Sequence, residues 1–447
     1  MPALPLGRRR QDTLALLGTA RAVAALVTRT VGGQDYARTV DALRADLPDL
    51  RHVYVEGPPL PGMRPLEPVW RGPAAPLDRL PAPDPDAAAR IVVSSGTEAT
   101  PKLVAYSHNA LAAGRGRLLL NLRGDEEGPA PAVHGSAGVG LRLRRAGRAV
   151  RAGRDTAPHP RFDTSATLRM VAEGRPTHLL GVPTMYQRLL GDPALEHTDL
   201  SALRCAVSGG ARLTPETAAR IRHKLCATVA TVYGSADGAN SHTRPGDPED
   251  VVGHTAGRPD PAIADLRIVD EDGAEVPRGA RGDLGAWPGD AALLCERPEL
   301  DRRYRTPDGW VRTGDLGALT ADGRLRLVGR KKDIVIRGGL NISPAEVELH
   351  LSSHPDVAGA VCRGVPDTLL GERLAAFVVP VPGARPPSLP ALHHHLLVRR
   401  GLERAKLPDA LHVLREFPVN PAGKVDRARL DVLARVGGDA TARGGAA

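Results

Sequence analysis

Between Val92 and Asn109 the chain reads VVSSGTEATPKLVAYSHN, an apolar stretch that runs into Ser94, Ser95, Gly96 and Thr97 and ends with Lys102 close by. Small residues let a chain turn sharply and present backbone N–H groups and hydroxyls to an anion, to which a lysine adds a point charge. The stretch therefore reads as a phosphate cradle, with a plain surface turn as the alternative. It is not the Walker loop, because GxxxxGK[ST] is absent. Further on, SGGARL (208–213) follows a strand-like run, and Gly209 and Gly210 would let backbone approach a flat ligand closely. VYGSADG sets Tyr233, an aromatic able to stack on a base, beside Ser235 and the carboxylate of Asp237. GWVRTGDLG puts Asp315 at a turn, suited to two adjacent ribose hydroxyls, GRLRLVGRKKDIVIRGGLNISPAEVE supplies Arg330, and FPVNPAGKVDRARL supplies Lys424.

The elements that must position these residues follow from the hydrophobic pattern. RHVYVEG, ARIVVSSG, LRCAVSGG and ATVATVYG read as strands, PTMYQRLL and TPETAARIRHKL as helices, and this alternation predicts an α/β fold. Gly57 to Pro85, rich in proline and glycine, reads as a connecting loop. From about Val251 the texture changes to glycine-punctuated hairpins or a small barrel, and after Lys332 a compact β and α mixture follows. A length of 447 residues predicts two or three lobes. The opening GRRRQDTLALLGTARAVAALV reads as an amphipathic helix rather than a signal peptide, since Arg21 interrupts its apolar run.

Composition narrows the function classes. The net charge is +9, but only six of the sixty basic residues are lysine, the arginines are scattered, and aromatics make up 3%. That pattern argues against nucleic-acid binding and leaves a surface that favours small polyanions such as nucleotides. Cys205, Cys226, Cys295 and Cys362 form no CxxC pair, which fits a reducing cytoplasm better than a disulfide or zinc framework. No membrane span is expected, because no eighteen-residue apolar run occurs. His393, His394 and His395 are consecutive, so they read as a solvated helix rather than a metal site.

Taken in order, SSGTEATPK, YGSAD, RTGD, GRKKDIVIRGGLNISPAEVE and NPAGK resemble the adenylate-forming superfamily, which includes acyl-CoA synthetases, adenylation domains of peptide synthetases and luciferases. The resemblance runs from about Asp35 to Leu430 and is nearest the acid-CoA ligase branch, to which FDTSATLRMVAEGRPTHLLGVPTMYQRLL is similar. It implies a large N-terminal lobe of mixed sheets with helices and a small β-rich subdomain (1–330) and a small mobile α+β C-terminal lid (331–435), while the glycine- and alanine-rich tail (436–447) is expected from its composition to be disordered. It also implies ATP, Mg²⁺ and coenzyme A as cofactors and cosubstrates. Ser95, Gly96, Thr97 and Lys102 would belong to the loop over the β- and γ-phosphates. Gly209, Gly210, Ala211 and Tyr233 would border adenine, with Gly234 beside them and Ser235 approaching the α-phosphate. Thr97 and Asp237, the latter where the family usually has glutamate, would hold Mg²⁺. Asp315 and Arg330 would bind ribose, Lys332 would be the hinge, Gly338 and Gly339 would line a thiol channel, and Lys424 would bridge carboxylate and α-phosphate.

The substrate implied is a carboxylic acid without an α-amine, aryl or alicyclic. PAVHGSAGVG, the apparent acyl-pocket segment with His134 and Gly135, lacks the aspartate by which amino-acid-specific members hold the amine. Coenzyme A is the expected acceptor, a carrier protein the alternative, and His108 and His134 read equally as packing or hydrogen-bonded histidines or as catalytic ones. Three departures bear on activity. Glu98 and Ala99 stand in the phosphate loop with Leu103 after its lysine, only about ninety residues precede that loop, and the region 122–155 is abridged. The front of the large lobe is therefore expected to be incomplete, and a non-catalytic nucleotide-binding remnant is the second reading.

Overall fold

The computed structural model describes residues 10–31, 33–73, 82, 84–93, 103–110, 121, 132–133, 162–235, 239–261, 264–287, 292–294, 305–420 and 423–441. Its centre is a five-stranded sheet in the order Asn240–His242, Thr228–Gly234, Cys205–Gly209, His178–Gly181, Ala132–Val133, parallel except for the first strand. Helices Thr164–Gly174, Pro183–Gly191 and Pro215–Lys224 cover one face, where Leu179, Ala206 and Val229 meet Leu168, Tyr186, Leu189 and Ile221 in a common core. The helix starts are written locally. Asp163 accepts from the Ala166 amide, Thr214 accepts from the Thr217 amide, and Pro183 and Pro215 occupy first-turn positions where a missing N–H costs nothing.

A four-stranded antiparallel sheet follows, in the order Asp265–Val269, Gly282–Trp287, Val311–Leu319, Leu325–Arg330. The hairpins are thus present, in an open order rather than a barrel. Strand Ala292–Leu294 leaves them to pair with Leu103–Ser107, beside Ala88–Val93. The last sheet joins Leu340–Ile342, Val335–Arg337, Gly371–Pro380 and Val357–Asp367, with Ala410–Val413 added in parallel. It has its own core around Val347, Leu351, Leu374, Val378, Leu392 and Leu396, as an independently packed lobe requires. Mixed α/β architecture is as the sequence predicts.

Four local readings change. Among the described residues the N-terminal helix covers Arg10–Thr19; Arg21 adopts a left-handed conformation (φ 45°) after it, and Ala24–Thr28 becomes a strand paired in parallel with His52–Glu56. Gly57 to Pro85 is not featureless, because Arg64–Pro65 extends that sheet and Glu67–Arg71 is helical, with Met63 and Leu66 buried. The histidine triplet is only partly solvated: His393 hydrogen-bonds the Pro408 carbonyl (2.8 Å) and His395 meets Ser353 Oγ (3.0 Å), leaving His394 exposed. The final helix, Arg427–Thr441, runs past residue 435.

Candidate functional site

Asp315 lies mid-strand in Val311–Leu319, directly opposite Arg330 in register. Thr313 Oγ1 donates to the Leu284 carbonyl (2.8 Å) and accepts from the Asp315 amide (3.1 Å), which fixes the strand where the carboxylate emerges. The carboxylate is buried and held at both oxygens: Arg330 Nε lies 2.9 Å from Oδ1, and the Tyr233 hydroxyl donates to Oδ2 over 2.6 Å. Each oxygen carries two lone pairs, so acceptor capacity remains for hydroxyls of a ligand. Tyr233 ends the parallel strand Thr228–Gly234, so this one group ties the central sheet to the antiparallel one. Burial, reinforced by the adjacent Asp315 charge, pushes the Tyr233 phenol well up, and it stays a neutral donor.

Lys424 reaches the same place from the small lobe. It follows a tight turn in which the Gly423 amide donates to the Asn420 carbonyl (2.8 Å) and the Lys424 amide to Asn420 Oδ1 (3.1 Å). Its side chain lies along Gly210, at φ +79° just past the strand Cys205–Gly209. A Cβ at Gly210 would stand 2.8 Å from Lys424 Cε and 3.3 Å from Nζ, so only glycine admits this approach. Burial pushes the ammonium below the ordinary lysine range; Arg330 adds to the effect and Asp315 opposes it. Gly210, Tyr233, Asp315, Arg330 and Lys424 therefore come together where the two lobes meet.

The other expected residues fall around or outside it. Gly209 and Ala211 flank Gly210, and Gly234 and Ser235 follow Tyr233, with Ser235 Oγ accepting from the Ala239 amide (3.3 Å). Lys332 is exposed in the turn Lys331–Asp333. Its neighbours are tied to opposite sides: Lys331 pairs with Asp283 of the large lobe (2.7 Å), and Asp333 with Arg427 of the small lobe (3.1 Å). Gly338 and Gly339 form the hairpin turn between Val335–Arg337 and Leu340–Ile342, both at positive φ, and the Gly338 amide donates to the Leu370 carbonyl (2.8 Å) within the small lobe. His108 is exposed. Ser95, Gly96, Thr97, Lys102, His134, Gly135 and Asp237 lie outside the described residues. Among the described residues no cluster of three or more His, Cys, Asp or Glu could hold a metal ion, and no helix is long and apolar enough to cross a membrane.

Sequence reasoning missed two groups. Asn240 pairs with Gly234 and His242 with Val232, and alternation along the sheet puts both on the face of Cys205, Val207, Ala230 and Val232, opposite the helices. Both ring nitrogens of His242 and Oδ1 of Asn240 are buried with no hydrogen-bond partner among the described residues. Burial, then Arg244, pushes the His242 imidazole down, so the ring is neutral and can accept as well as donate. Beside the turn Lys331–Asp333, Arg363 holds Asp431 through two hydrogen bonds (2.6 and 3.0 Å), and burial pushes the Glu348 carboxyl up despite the nearby Arg427. Isolated charges in sequence gave no hint of this network.

The chain is similar to several known proteins. The chain is 33% identical to a salicyl-AMP ligase / salicyl-S-ArCP synthetase of Mycobacterium tuberculosis, over 96% of this chain and 75% of that protein. It is 34% identical to a 2-hydroxy-7-methoxy-5-methyl-1-naphthoate–CoA ligase of Streptomyces carzinostaticus, over 97% of this chain and 79% of that protein. The solved amide bond synthetase of Marinactinospora thermotolerans superposes with a TM-score of 0.76 at 27% identity, covering 96% of this chain and 84% of its own. Residues 10–286 match the AMP-binding enzyme family and residues 346–424 its C-terminal domain, on top of the shared cleft built by Tyr233, Asp315, Arg330 and Lys424. The chain belongs to the AMP-binding enzyme family.

Proposed function

We propose that the protein activates a carboxylic acid with ATP to an acyl-adenylate and pyrophosphate, then transfers the acyl group to the thiol of coenzyme A, releasing AMP. The observation that carries this reading is the Lys424 side chain delivered by the small lobe onto Gly210, within the field of Asp315 and Arg330. A carboxylate attacking the α-phosphate brings two anions together, and a preorganised cation in a water-poor cleft offsets that repulsion where charge develops. Asp315 would accept from ribose hydroxyls, with Arg330 and Tyr233 fixing its orientation, and Gly209 to Ala211 would flank the adenine. Magnesium, which would neutralise phosphate charge, falls to Thr97 and Asp237.

The lobes divide at 331–333, since Lys331 is anchored to one lobe and Asp333 to the other. Lys332 between them is the hinge about which the lid, residues 331–435, turns. That rotation withdraws Lys424 and brings Gly338 and Gly339 to the thiol path. The substrate is an aryl or alicyclic acid: relatives carry salicylate and naphthoate in their names, and Asn240 and His242 offer hydrogen-bonding atoms on a mostly apolar sheet face. Coenzyme A as acceptor follows the naphthoate–CoA ligase, whereas the salicyl-S-ArCP synthetase motivates the carrier-protein alternative. A cytoplasmic location fits the three described cysteines, all buried free thiols.

The test is acid-dependent exchange of labelled pyrophosphate into ATP across a panel of aryl, alicyclic and fatty acids, followed by product analysis with coenzyme A and with a phosphopantetheinylated carrier. Exchange with an aryl or alicyclic acid and an acyl-CoA product are expected. ATP binding by calorimetry with no exchange for any acid would leave a nucleotide-binding remnant instead.

A further inference from the structure

Helix Pro183–Gly191 has two faces with separate duties. Tyr186, Leu189 and Leu190 are buried in the core of the large lobe, and the Tyr186 hydroxyl donates to the Leu179 carbonyl (2.6 Å) and lies 3.0 Å from that of Val207. The helix is thereby pinned to two central strands. Thr184 and, one helical turn on, Gln187 and Arg188 project from the other face, and each meets a different segment of the small lobe. Thr184 Oγ1 donates to the Gly423 carbonyl (2.6 Å), Gln187 Nε2 to the Ala358 carbonyl (3.0 Å), and Arg188 Nη2 to the Glu416 carboxylate (2.5 Å). Close approach is required on the lid side: a Cβ at Gly423 would stand 2.5 Å from Met185 Cε, and one at Gly359 would stand 3.3 Å from Gln187 Nε2 and 2.9 Å from Phe417 Cε2.

We propose that this helix face is the latch that holds the lid with its lysine inside the cleft, making Thr184, Gln187 and Arg188 positioning residues for the first half-reaction only. The inference rests on the adenylation reading and deepens it. Gly423 immediately precedes Lys424, so the Thr184 bond fixes the peptide that carries the lysine, while Gln187 and Arg188 resist rotation of the lid away from the helix. A helix rigidly bound to one lobe and engaged by three segments of the other is a two-state contact: it exists in one lid position and is lost in any rotated one. Each neutral hydrogen bond shifts that balance by roughly two- to tenfold, and the half-exposed ion pair by about two- to fivefold. Strengthening the latch past an optimum slows the second half-reaction by the same factor.

The test is a reciprocal charge swap with two kinds of readout. R188E and E416R are each expected to lower pyrophosphate exchange about two- to fivefold, while thioester formation from a supplied acyl-adenylate stays level or rises; R188E/E416R restores the exchange. Independently of activity, the distance between spin labels at exposed Glu173 and Val398, replaced by cysteine in a chain lacking Cys295, should spread toward other values in the single variants and return in the double. Equal loss in both half-reactions, no recovery in the double swap, or an unmoved distance distribution would overturn the latch. A wild-type protein inert toward every acid would instead sink the adenylation reading, with the label distances still deciding the helix face.

Discussion

Replacing Gly210 by alanine probes the cleft with a single methyl group. The new Cβ would stand 2.8 Å from Lys424 Cε, whereas two carbons rest at about 3.5–4.0 Å. The lysine must retreat by about 1 Å, and a misplacement of that size costs roughly 10²-fold in rate, or about 2.7 kcal/mol of transition-state stabilisation. Alanine at φ +79° adds about 1–2 kcal/mol of backbone strain, which should appear as a modest fall in Tm. The assay is paired: pyrophosphate exchange for the first half-reaction, and thioester formation from a supplied acyl-adenylate for the second. Exchange should fall about a hundredfold with the second half-reaction within a few-fold of wild type. Adding K424A to G210A should cost far less than K424A alone, because the lysine is already displaced. A G210A protein with normal exchange, or with both half-reactions reduced alike, would refute the claim that Lys424 acts from its place over Gly210.

Three further outcomes follow from the same cleft. Lys424→Ala should reduce exchange by about 10²- to 10³-fold, the cost of one preorganised group facing developing charge, while thiolysis of supplied acyl-adenylate persists. Asp315→Asn should raise the KM for ATP about tenfold or more and destabilise the fold by about 1–3 kcal/mol, checked by urea unfolding, because Arg330 and the buried Tyr233 hydroxyl lose their charged acceptor. Since burial holds the Lys424 ammonium below the ordinary lysine range, the cationic, active form is lost as pH rises. A pH–rate profile of exchange should show an alkaline fall beginning before a free lysine would titrate, absent from the thioester-forming step.

Much of this was legible because short-range chemistry dictates it. Pro183 and Pro215 in first turns, capping by Asp163 and Thr214, and apolar runs such as CAVSG mark elements without reference to the rest of the chain. Asp315, Arg330 and Lys424 could be singled out by type and order, but not that one carboxylate would hold both Tyr233 and Arg330. Residues whose role depends on tertiary partners stayed hidden. Thr184, Gln187 and Arg188 are written like any solvent face of an amphipathic helix, and only the docked lobe distinguishes them. The alanine-rich start read as helix because propensity favours it; Arg21 in the left-handed region and pairing with His52–Glu56 overrode that preference. His242 and Asn240 emerge only when strand register shows which face they share.

The most direct measurement is acid-dependent pyrophosphate exchange by the wild-type protein beside its Lys424→Ala variant, with an aryl or alicyclic acid that the panel identifies. Exchange in the wild type that collapses in the variant, with thioester formation from supplied acyl-adenylate retained by both, is the predicted result. Exchange that survives loss of Lys424 would contradict an adenylation chemistry assembled by the two lobes around Asp315 and Arg330.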